Sequence, residues 1–370
     1  MASCTGSVRW REAFPLNEIP VLEVYNVYVI GRTTRGGDSG GQRPARKKGI
    51  LLAKTMLSIE EALSNFSPER FVGETTERLQ ERLKEGRFAG AVFGASGGID
   101  SLLTGTLCLK AARTGCPRPV VGLQMIDSRV KGENYNPHLY RGLGVKLIGI
   151  DITGEAIRVE RDRRMPPHWL TTCLMKLTLR RTPLTVRRRL ILAVKSGGAP
   201  GWALTHFERL ILLHRLRIRL LREYARQRGL MLIICANRTE AALGYFVEGG
   251  IDDPLMGDFA PLASIYKVEV FRVARYLALP EEALRQKPSP GFGGIHDEEI
   301  VGPYDLADRV LVGLELGYSD AQIARALQPR VSEEKGGGAL RQSRLYDIPY
   351  VRFLRSLVEL NARKSGTEAE

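Results

Sequence analysis

Cysteine is scarce in this chain, and its spacing matches no metal-binding pattern. The 370 residues include five cysteines, with no Cys-x-x-Cys pair and no zinc-ligand spacing among them. Their number is odd, and nothing in their arrangement predicts a disulfide framework. This usage excludes a disulfide-rich secreted domain and is typical of a protein from a reducing cytosol. The five residues are Cys4, Cys108, Cys116, Cys173 and Cys235.

Long apolar runs are also lacking. No stretch approaches about 18 uninterrupted apolar residues, the length that a membrane-spanning helix needs. The opening segment, "MASCTGSVRWREAFPLNEIP", lacks the basic end and apolar centre of a secretory signal. We therefore expect a cytoplasmic protein with no membrane span.

Acidic residues are outnumbered by basic ones. The chain has 41 Asp and Glu against 55 Lys and Arg, which gives a net charge of +14. This balance favours polyanionic partners such as nucleotides, nucleic acids or acidic membranes, but it selects none of them. The length and the hydrophobic fraction of 44% are sufficient for a globular protein with a sizeable core.

The composition changes along the chain and predicts three parts. Residues 1–55 contain the Gly- and Arg-rich stretch "GRTTRGGDSGGQRPARKKG" and are expected to form a variable, poorly ordered extension. An over-extended gene start, with the true beginning near Met56, is the alternative. Residues 56–320 are expected to form the main domain, with a basic helical insert at about 155–206. Residues 321–370 are expected to form a C-terminal tail with a helix.

Four short apolar runs without alternation predict strands buried on both faces of a sheet. Helical stretches at 100–113, 133–142 and 207–228 separate them. Strands that alternate with helices predict an α/β fold with a doubly wound parallel sheet. Ligands of such sheets bind beyond the carboxyl ends of the strands, so the functional site is expected there. The four runs are residues 88–96, 119–127, 145–153 and 230–238.

The stretch "FGASGGIDS" follows the first predicted strand and precedes a helix. Bare glycine amides and the free N–H groups of a helix N-terminus form an anion site, and Asp100 suits the Mg²⁺ that accompanies a phosphate. The stretch is neither a Walker A loop, since no Gly-Lys-Ser/Thr follows, nor a G-x-G-x-x-G fingerprint. A purely structural strand-to-helix turn remains the alternative.

The hexapeptide Ser-Gly-Gly-Ile-Asp-Ser resembles the pyrophosphate-binding loop of the N-type ATP pyrophosphatases. Three later segments, in the same order along the chain, resemble ammonia-dependent NAD synthetase. The resemblance covers roughly residues 58–312 and implies a PP-loop fold of the adenine-nucleotide α-hydrolase type. The segments are "ANRTEAALGYF" (236–246), "APLASIYKVEVFRVARYLALPEEALRQKPSPGF" (260–292) and "DEEIVGPYDLADRVL" (297–311).

The resemblance implies an ATP-dependent amide ligase. ATP would adenylate the carboxylate of deamido-NAD with release of pyrophosphate, and ammonia would then displace AMP. It also implies Mg²⁺ and a homodimer. No glutamine-hydrolysing domain is recognisable in the sequence, so free ammonia or a separate glutaminase would supply the nitrogen.

The resemblance also implies roles for particular residues. Asp100, Glu240 and Lys267 would be catalytic, and Asp100 and Glu240 would hold Mg²⁺. Arg217 and Asp258 would bind the acid substrate. The residues expected to bind ATP are Gly94, Ser96, Gly97, Gly98, Ile99, Asp100, Ser101, Lys267 and Ser289.

The residues themselves leave alternatives for three of these roles. A helical wheel of 207–228 places Arg217 within the apolar arc, where a buried charge needs an anionic partner. A structural ion pair or an arginine that extends to solvent would explain it equally. Glu240 follows a predicted strand and could be a helix-capping carboxylate. Lys267 could be an ordinary surface lysine.

The sequence departs from the family pattern on the side of the acid substrate. Glu248 replaces a lysine that meets the substrate, in a loop about three residues longer than usual. Ile234 and Cys235 replace a Gly-Thr pair. The alternatives are therefore another acid substrate, sulfur transfer through Cys235, or a tRNA-modifying enzyme that binds nucleic acid through the basic insert.

Overall fold

The computed structural model describes residues 58–113, 117–130, 136–244, 247–286, 298–333 and 347–364. In these ranges the fold is α/β, and it contains a parallel sheet of four strands. The predicted extension of residues 1–55 lies outside the described residues. The strands are β1 (Gly90–Gly94), β2 (Val120–Ile126), β3 (Lys146–Asp151) and β4 (Leu230–Ile233).

Helices occupy most of the remaining described chain. Those before β4 are α1 (Ile59–Ser64), α2 (Pro68–Glu85), α3 (Ile99–Ala112), α4 (Pro137–Leu143), α5 (Thr153–Asp162), α6 (His168–Arg181), α7 (Leu184–Ser196) and α8 (Gly201–Arg228). Those after β4 are α9 (Arg238–Ala242), α10 (Lys267–Tyr276), α11 (Glu281–Arg285), α12 (Glu298–Val301), α13 (Tyr304–Glu315), α14 (Asp320–Glu333) and α15 (Ile348–Lys364).

The strand order β3-β2-β1-β4 confirms the doubly wound prediction. The chain moves outward from β1 through β2 to β3, and then returns to place β4 on the other side of β1. Val92 of β1 pairs with Val121 of β2 and with Leu232 of β4. The strand order thus reverses between β1 and β4, and ligands of open α/β sheets bind at the carboxyl ends of the strands at such a point.

Both faces of the sheet are covered at its centre. Alternate residues of a strand face opposite sides. Phe93 therefore packs into the core formed with α2, α3 and α10, while Val92 packs into the core formed with α8. The prediction that all four strands are buried on both faces is wrong for β3, in which Lys146 and Asp151 are exposed. β3 is an edge strand, and side chains at an edge of the sheet stay open to solvent.

The basic insert is helical, as predicted. α6 packs against α8, and α7 packs against α15. α6 keeps apolar side chains on the surface, with Trp169 69% and Leu177 53% exposed. α8 begins at Gly201 and not near residue 207, so the helix that follows the insert is longer than the sequence pattern indicated.

The C-terminal helices α13, α14 and α15 form a second core with α1. α1 begins with a capping box in which the Ser58 hydroxyl accepts from the Glu61 N–H, and the Glu61 carboxylate accepts from the Ser58 N–H. This core fixes α13 beside α9 and α10, the helices that begin at the sheet's carboxyl edge. The predicted C-terminal helices are therefore part of the scaffold of that edge.

Candidate active site

The loop between β1 and α3 presents backbone donors at the point where the strand order reverses. Gly97 has a φ of +86°, a conformation that only glycine takes without strain. Gly98 is the N-cap of α3, and no side chain caps this helix end. The N–H groups of its first turn therefore remain to face a ligand, and the helix dipole favours a negative one.

The hydroxyl of Ser101 lies inside this loop. It lies 2.8 Å from the carbonyl oxygen of Gly98 and 3.1 Å from the hydroxyl of Ser96. Tyr140, from α4, reaches the same place: its hydroxyl lies 2.7 Å from that of Ser101 and accepts from the Gly97 N–H at 2.8 Å. Ser96 is exposed, whereas Ser101 is buried. The sequence analysis did not single out Tyr140, because no local pattern links α4 to the loop.

Three predicted catalytic residues meet beside the loop. The Lys267 ammonium contacts the carboxylate of Asp100 and lies 3.5 Å from that of Glu240. The Lys267 side chain is 1% exposed, and its ammonium lies 5.3 Å from the centre of the Tyr304 ring. A buried cation is costly unless it is paired, and the two carboxylates provide that pairing here. The interpretation of Lys267 as a surface lysine is wrong.

α9 carries Glu240 to the site by its capping arrangement. The Asn237 side chain accepts from the Glu240 N–H at 3.0 Å and donates to the Asp100 carboxylate at 2.9 Å. One oxygen of Glu240 faces the Asn237 N–H and the other faces Lys267. Glu240 is thus a helix-capping residue, as one interpretation of the sequence held, and its carboxylate also faces the site.

A buried carboxylate of α13 joins the starts of α9 and α10. Asp308 accepts from the Thr239 hydroxyl at 2.6 Å and from the Val268 N–H at 2.8 Å. The Lys267 N–H in turn donates to the Thr239 hydroxyl at 2.8 Å. Burial raises the pKa of Asp308 to about 7, against the opposing effect of these hydrogen bonds. These contacts place Glu240 and Lys267 at a set distance from each other.

Comparisons with known proteins identify the family. The family model of NAD synthase matches residues 71–165 and 202–335. The chain belongs to the NAD synthase family. It is 30% identical over 268 residues to the NH(3)-dependent NAD(+) synthetase of Pyrococcus furiosus, with 70% of this chain and 84% of that protein covered. It is 26% identical over 265 residues to that of Methanocaldococcus jannaschii, with 70% and 85% covered.

Solved structures agree on the fold. The NH3-dependent NAD synthetase of Campylobacter jejuni superposes with a TM-score of 0.51 at 20% identity, covering 82% of this chain and 98% of that one. The family match is interrupted between residues 165 and 202. This gap lies inside the predicted insert and contains all of α6 and α7. The chain is therefore an NAD synthase family member with two additional helices.

Within this family member, Arg217 is not the buried arginine of α8. Arg217 is half-buried, whereas Arg209 is 2% exposed. Arg209 contacts the Thr171 hydroxyl and the Pro166 carbonyl oxygen, and lies 3.3 Å from Glu160. The sequence analysis did not single it out, although the helical wheel of 207–228 includes residue 209. Continuing the spacing of Leu213 and Leu216 by one turn toward the N-terminus would have placed Arg209 on the buried face.

Glu160 extends this charge network to the carboxyl end of β2. It lies 3.0 Å from Arg129, which donates to the buried carboxylate of Asp127 at 2.6 and 2.9 Å. The Arg129 guanidinium holds the pKa of Asp127 below its usual value, against the effect of burial. The network joins the sheet, α5, α6 and α8, so the insert is attached to the edge where the site lies.

Two further predicted residues are Asp258, expected to bind the acid substrate, and Ser289, expected to bind ATP. Asp258 is exposed, and its carboxylate accepts from the Leu232 N–H at 2.7 Å, at the side of β4. Asp258 therefore lies beside β4. Ser289 lies outside the described residues.

Glu248 begins the lengthened loop that follows α9. Its side chain is exposed, and its carbonyl oxygen accepts from Arg215 of α8 at 3.2 Å. Asp253 accepts from the N–H groups of Gly249 and Leu255, and Asp252 accepts from the Val247 N–H. The carboxylates of Asp252 and Asp253 therefore stabilise the conformation of the loop that contains them.

The other predicted residues have the following environments. Gly94 ends β1, and an added Cβ would lie 2.8 Å from Ile251. Ile99 is buried in the core under the loop.

Cys235 is partly exposed, and desolvation by the surrounding protein raises the pKa of its thiol. A thiol is a nucleophile only as the thiolate, so this environment opposes the sulfur-transfer alternative. Among the described helices, none has the length and apolarity needed to cross a membrane.

Proposed function

We propose that the chain is an ammonia-dependent NAD synthetase, which adenylates the carboxylate of deamido-NAD with ATP and amidates it with ammonia. The products are NAD, AMP and pyrophosphate. One observation carries the proposal: a buried lysine lies between two carboxylates beside the uncapped start of α3. The start of α3 provides backbone donors for phosphates. The lysine and the two carboxylates place positive and negative charges beside those donors.

The loop and α3 bind the triphosphate in this proposal. The first-turn amides of α3 offer donors to the β- and γ-phosphates, which leave as pyrophosphate, with Ser96 and Gly98 beside them. Lys267 neutralises charge that develops on the phosphates. Its side chain is already buried beside the loop, so it does not have to move in from solvent. Catalysis then rests on positioning and on charge stabilisation, with no covalent intermediate on a side chain.

Asp100 and Glu240 are the residues that would hold Mg²⁺. Mg²⁺ commonly binds through one or two carboxylates together with substrate phosphates and water, and these two carboxylates face the same ammonium. Among the described residues no group of three or more His, Cys, Asp or Glu forms a metal cluster, so substrate oxygens would complete the shell. When bound, the ion would stabilise negative charge on the departing pyrophosphate.

The acid substrate is assigned to the side of Arg217 and Asp258. Deamido-NAD is proposed because the matched relatives are named NH(3)-dependent NAD(+) synthetases. Ammonia enters free or from a separate glutaminase, and the active species is a homodimer in this proposal. The exposed carboxylate of Glu248 would weaken the binding of a phosphate-bearing substrate unless a nearby cation offsets it.

The acid-dependent release of pyrophosphate tests the function. Purified protein is given MgATP and ammonium with deamido-NAD, or with other carboxylic acids in its place. We expect release and NAD formation with deamido-NAD, and none with glutamine in place of ammonium. Asp100→Asn and Glu240→Gln should each nearly abolish release, whereas Glu223→Gln, on the exposed side of α8, should not. Amidation of another acid with no NAD formed would replace deamido-NAD as the substrate.

A further inference from the structure

The hydroxyl of Tyr140 is joined to the glycine loop at two points. It accepts from the Gly97 N–H at 2.8 Å and lies 2.7 Å from the Ser101 hydroxyl. Tyr140 comes from α4, 43 residues after Gly97, and its side chain is fully buried. The loop therefore takes its conformation partly from the helix that connects β2 to β3.

The number of hydroxyl protons determines which group is the donor in each of these hydrogen bonds. A hydroxyl donates once and accepts twice. Ser101 lies 2.8 Å from the Gly98 carbonyl oxygen, which can only accept. Ser101 therefore donates to Gly98, and the hydroxyls of Ser96 and Tyr140 both donate to Ser101. The chain of bonds runs from the Gly97 N–H through Tyr140 and Ser101 to the Gly98 carbonyl oxygen, so it begins and ends in the loop backbone.

The ring of Tyr140 is held firmly enough to act as an anchor. It packs against Phe93 of β1, with ring centres 6.2 Å apart, and both residues are fully buried. Gly144 then ends α4 in a left-handed conformation, and the Val145 N–H donates to the Tyr140 carbonyl oxygen at 3.0 Å. The phenol oxygen is therefore fixed relative to β1, from which the loop starts.

We propose that Tyr140 is a positioning residue for the pyrophosphate loop. By accepting from Gly97 and donating to Ser101, it keeps the left-handed peptide at Gly97 in place, and this turns the following amides toward the ligand. It also commits the single proton of Ser101 to the backbone. Ser101 then supports the loop, while the α3 amides meet the phosphates. This inference rests on the proposed function of the loop in binding ATP.

Tyr140→Phe tests the proposal, with Tyr350→Phe as the matched control. Tyr350 is also fully buried, and its hydroxyl donates to the Val301 carbonyl oxygen at 2.8 Å, far along the chain in α15. Binding of MgATP is measured by calorimetry without acid or ammonium, and inhibition by inorganic pyrophosphate is measured in the full reaction. A thermal melt accompanies each variant, because Tyr140→Phe loses two buried hydrogen bonds and Tyr350→Phe loses one.

We expect Tyr140→Phe to weaken MgATP binding and pyrophosphate inhibition about tenfold, as for a buried N–H left without an acceptor. The KM for ammonium should stay unchanged, and Tyr350→Phe should bind MgATP as wild type does even where its Tm falls. Equal effects of the two variants on MgATP binding would overturn the proposal. A wild type that binds MgATP but amidates no acid would overturn the proposed function alone, since the calorimetric arm needs no acid.

Discussion

Lys267 shows how strongly the charges of this site depend on one another. Its ammonium is nearly inaccessible to solvent and contacts Asp100, with Glu240 3.5 Å away. Without the two carboxylates the buried cation would be costly, and without the cation the two carboxylates would repel each other. The three side chains are therefore one electrostatic unit, and removal of any member changes the other two.

Lys267→Met should lower the rate of pyrophosphate release on the order of a hundredfold, since it removes a fixed charge beside the reacting phosphates. Lys195→Met is the control. Lys195 is a partly buried cation of α7 that donates to the Gly244 carbonyl oxygen, outside the site. The kcat of each variant is measured with its Tm. A Lys267→Met enzyme with wild-type kcat would remove Lys267 from the reaction.

The helices around the site are joined through buried polar side chains as well as apolar packing. α13 supplies Asp308 to the starts of α9 and α10, and α8 supplies Arg209 to α5 and α6. Each of these groups is buried and contacts side chains of other helices. Such contacts fix the distance between helices more strictly than apolar side chains alone, because hydrogen bonds weaken steeply with distance and angle.

Asp308→Asn should lower both stability and activity. At pH 8, above its raised pKa, the carboxylate accepts from both Thr239 and Val268, whereas an amide has only one acceptor oxygen. One buried donor is then unsatisfied, at a cost of about 1–3 kcal/mol in the free energy of unfolding. Urea unfolding and kcat are measured at that pH. A severalfold fall in kcat is expected as Glu240 and Lys267 shift.

Asp305→Asn provides the comparison for this variant. Asp305 lies one turn earlier in α13, with a side chain 41% exposed and paired with Arg309. Its loss should change the free energy of unfolding by less than about 1 kcal/mol. If Asp308→Asn were no more harmful than Asp305→Asn, the buried carboxylate would not organise the site.

His206 makes the attachment of α8 sensitive to acid. Burial, together with the smaller effect of the nearby positive charges of Arg209 and His168, lowers its pKa to about 4. In the unfolded chain the same group titrates near 6.5, so between these values only the unfolded chain binds the proton. Its contribution to stability is complete above pH 6.5 and is lost as the pH falls toward 4.

Wild type should therefore lose about 2 kcal/mol of unfolding free energy through this group between pH 7 and pH 5. His206→Leu should remove that part of the pH dependence, whatever its effect at pH 7. His138→Asn, which changes an exposed histidine of α4 paired with Glu282, should keep it. Urea unfolding at both pH values measures the difference, and equal slopes for His206→Leu and wild type would refute the explanation.

Over the whole molecule the excess of positive charge has a kinetic consequence. The net charge of +14 attracts ATP and a dinucleotide acid, both of which are anions. Salt screens such attraction over about 10 Å at 0.1 M ionic strength. We expect kcat/KM for the acid substrate to fall severalfold between 50 and 300 mM NaCl, as about one or two ionic contacts would predict, with kcat nearly constant. A flat kcat/KM across that range would show that the charge does not act on substrate capture.

Sequence reasoning was accurate where a feature depends on neighbouring residues. The apolar runs predicted β1, β2 and β4, and the helical stretch 100–113 predicted α3 to within one residue at each end. It was wrong where burial depends on the position of an element in the fold. The run 145–153 is as apolar as the others, but β3 lies at the edge of the sheet. The start of α8 was also misplaced, since the helix continues into the insert.

The glycine loop and the alternation of strands and helices could be derived from the chain alone, because turn conformation, helix capping and the apolar patterns of strands and helices follow from residues adjacent in sequence. The meeting of Lys267 with Asp100 could not, because 167 residues separate them and the strand order brings them together. The same holds for Tyr140 at Gly97, for Asp308 at Thr239 and Val268, and for Arg209 at Glu160. Each is a buried polar group whose energy depends on a partner far away in the sequence. The neighbouring residues in the chain do not indicate which partner that is.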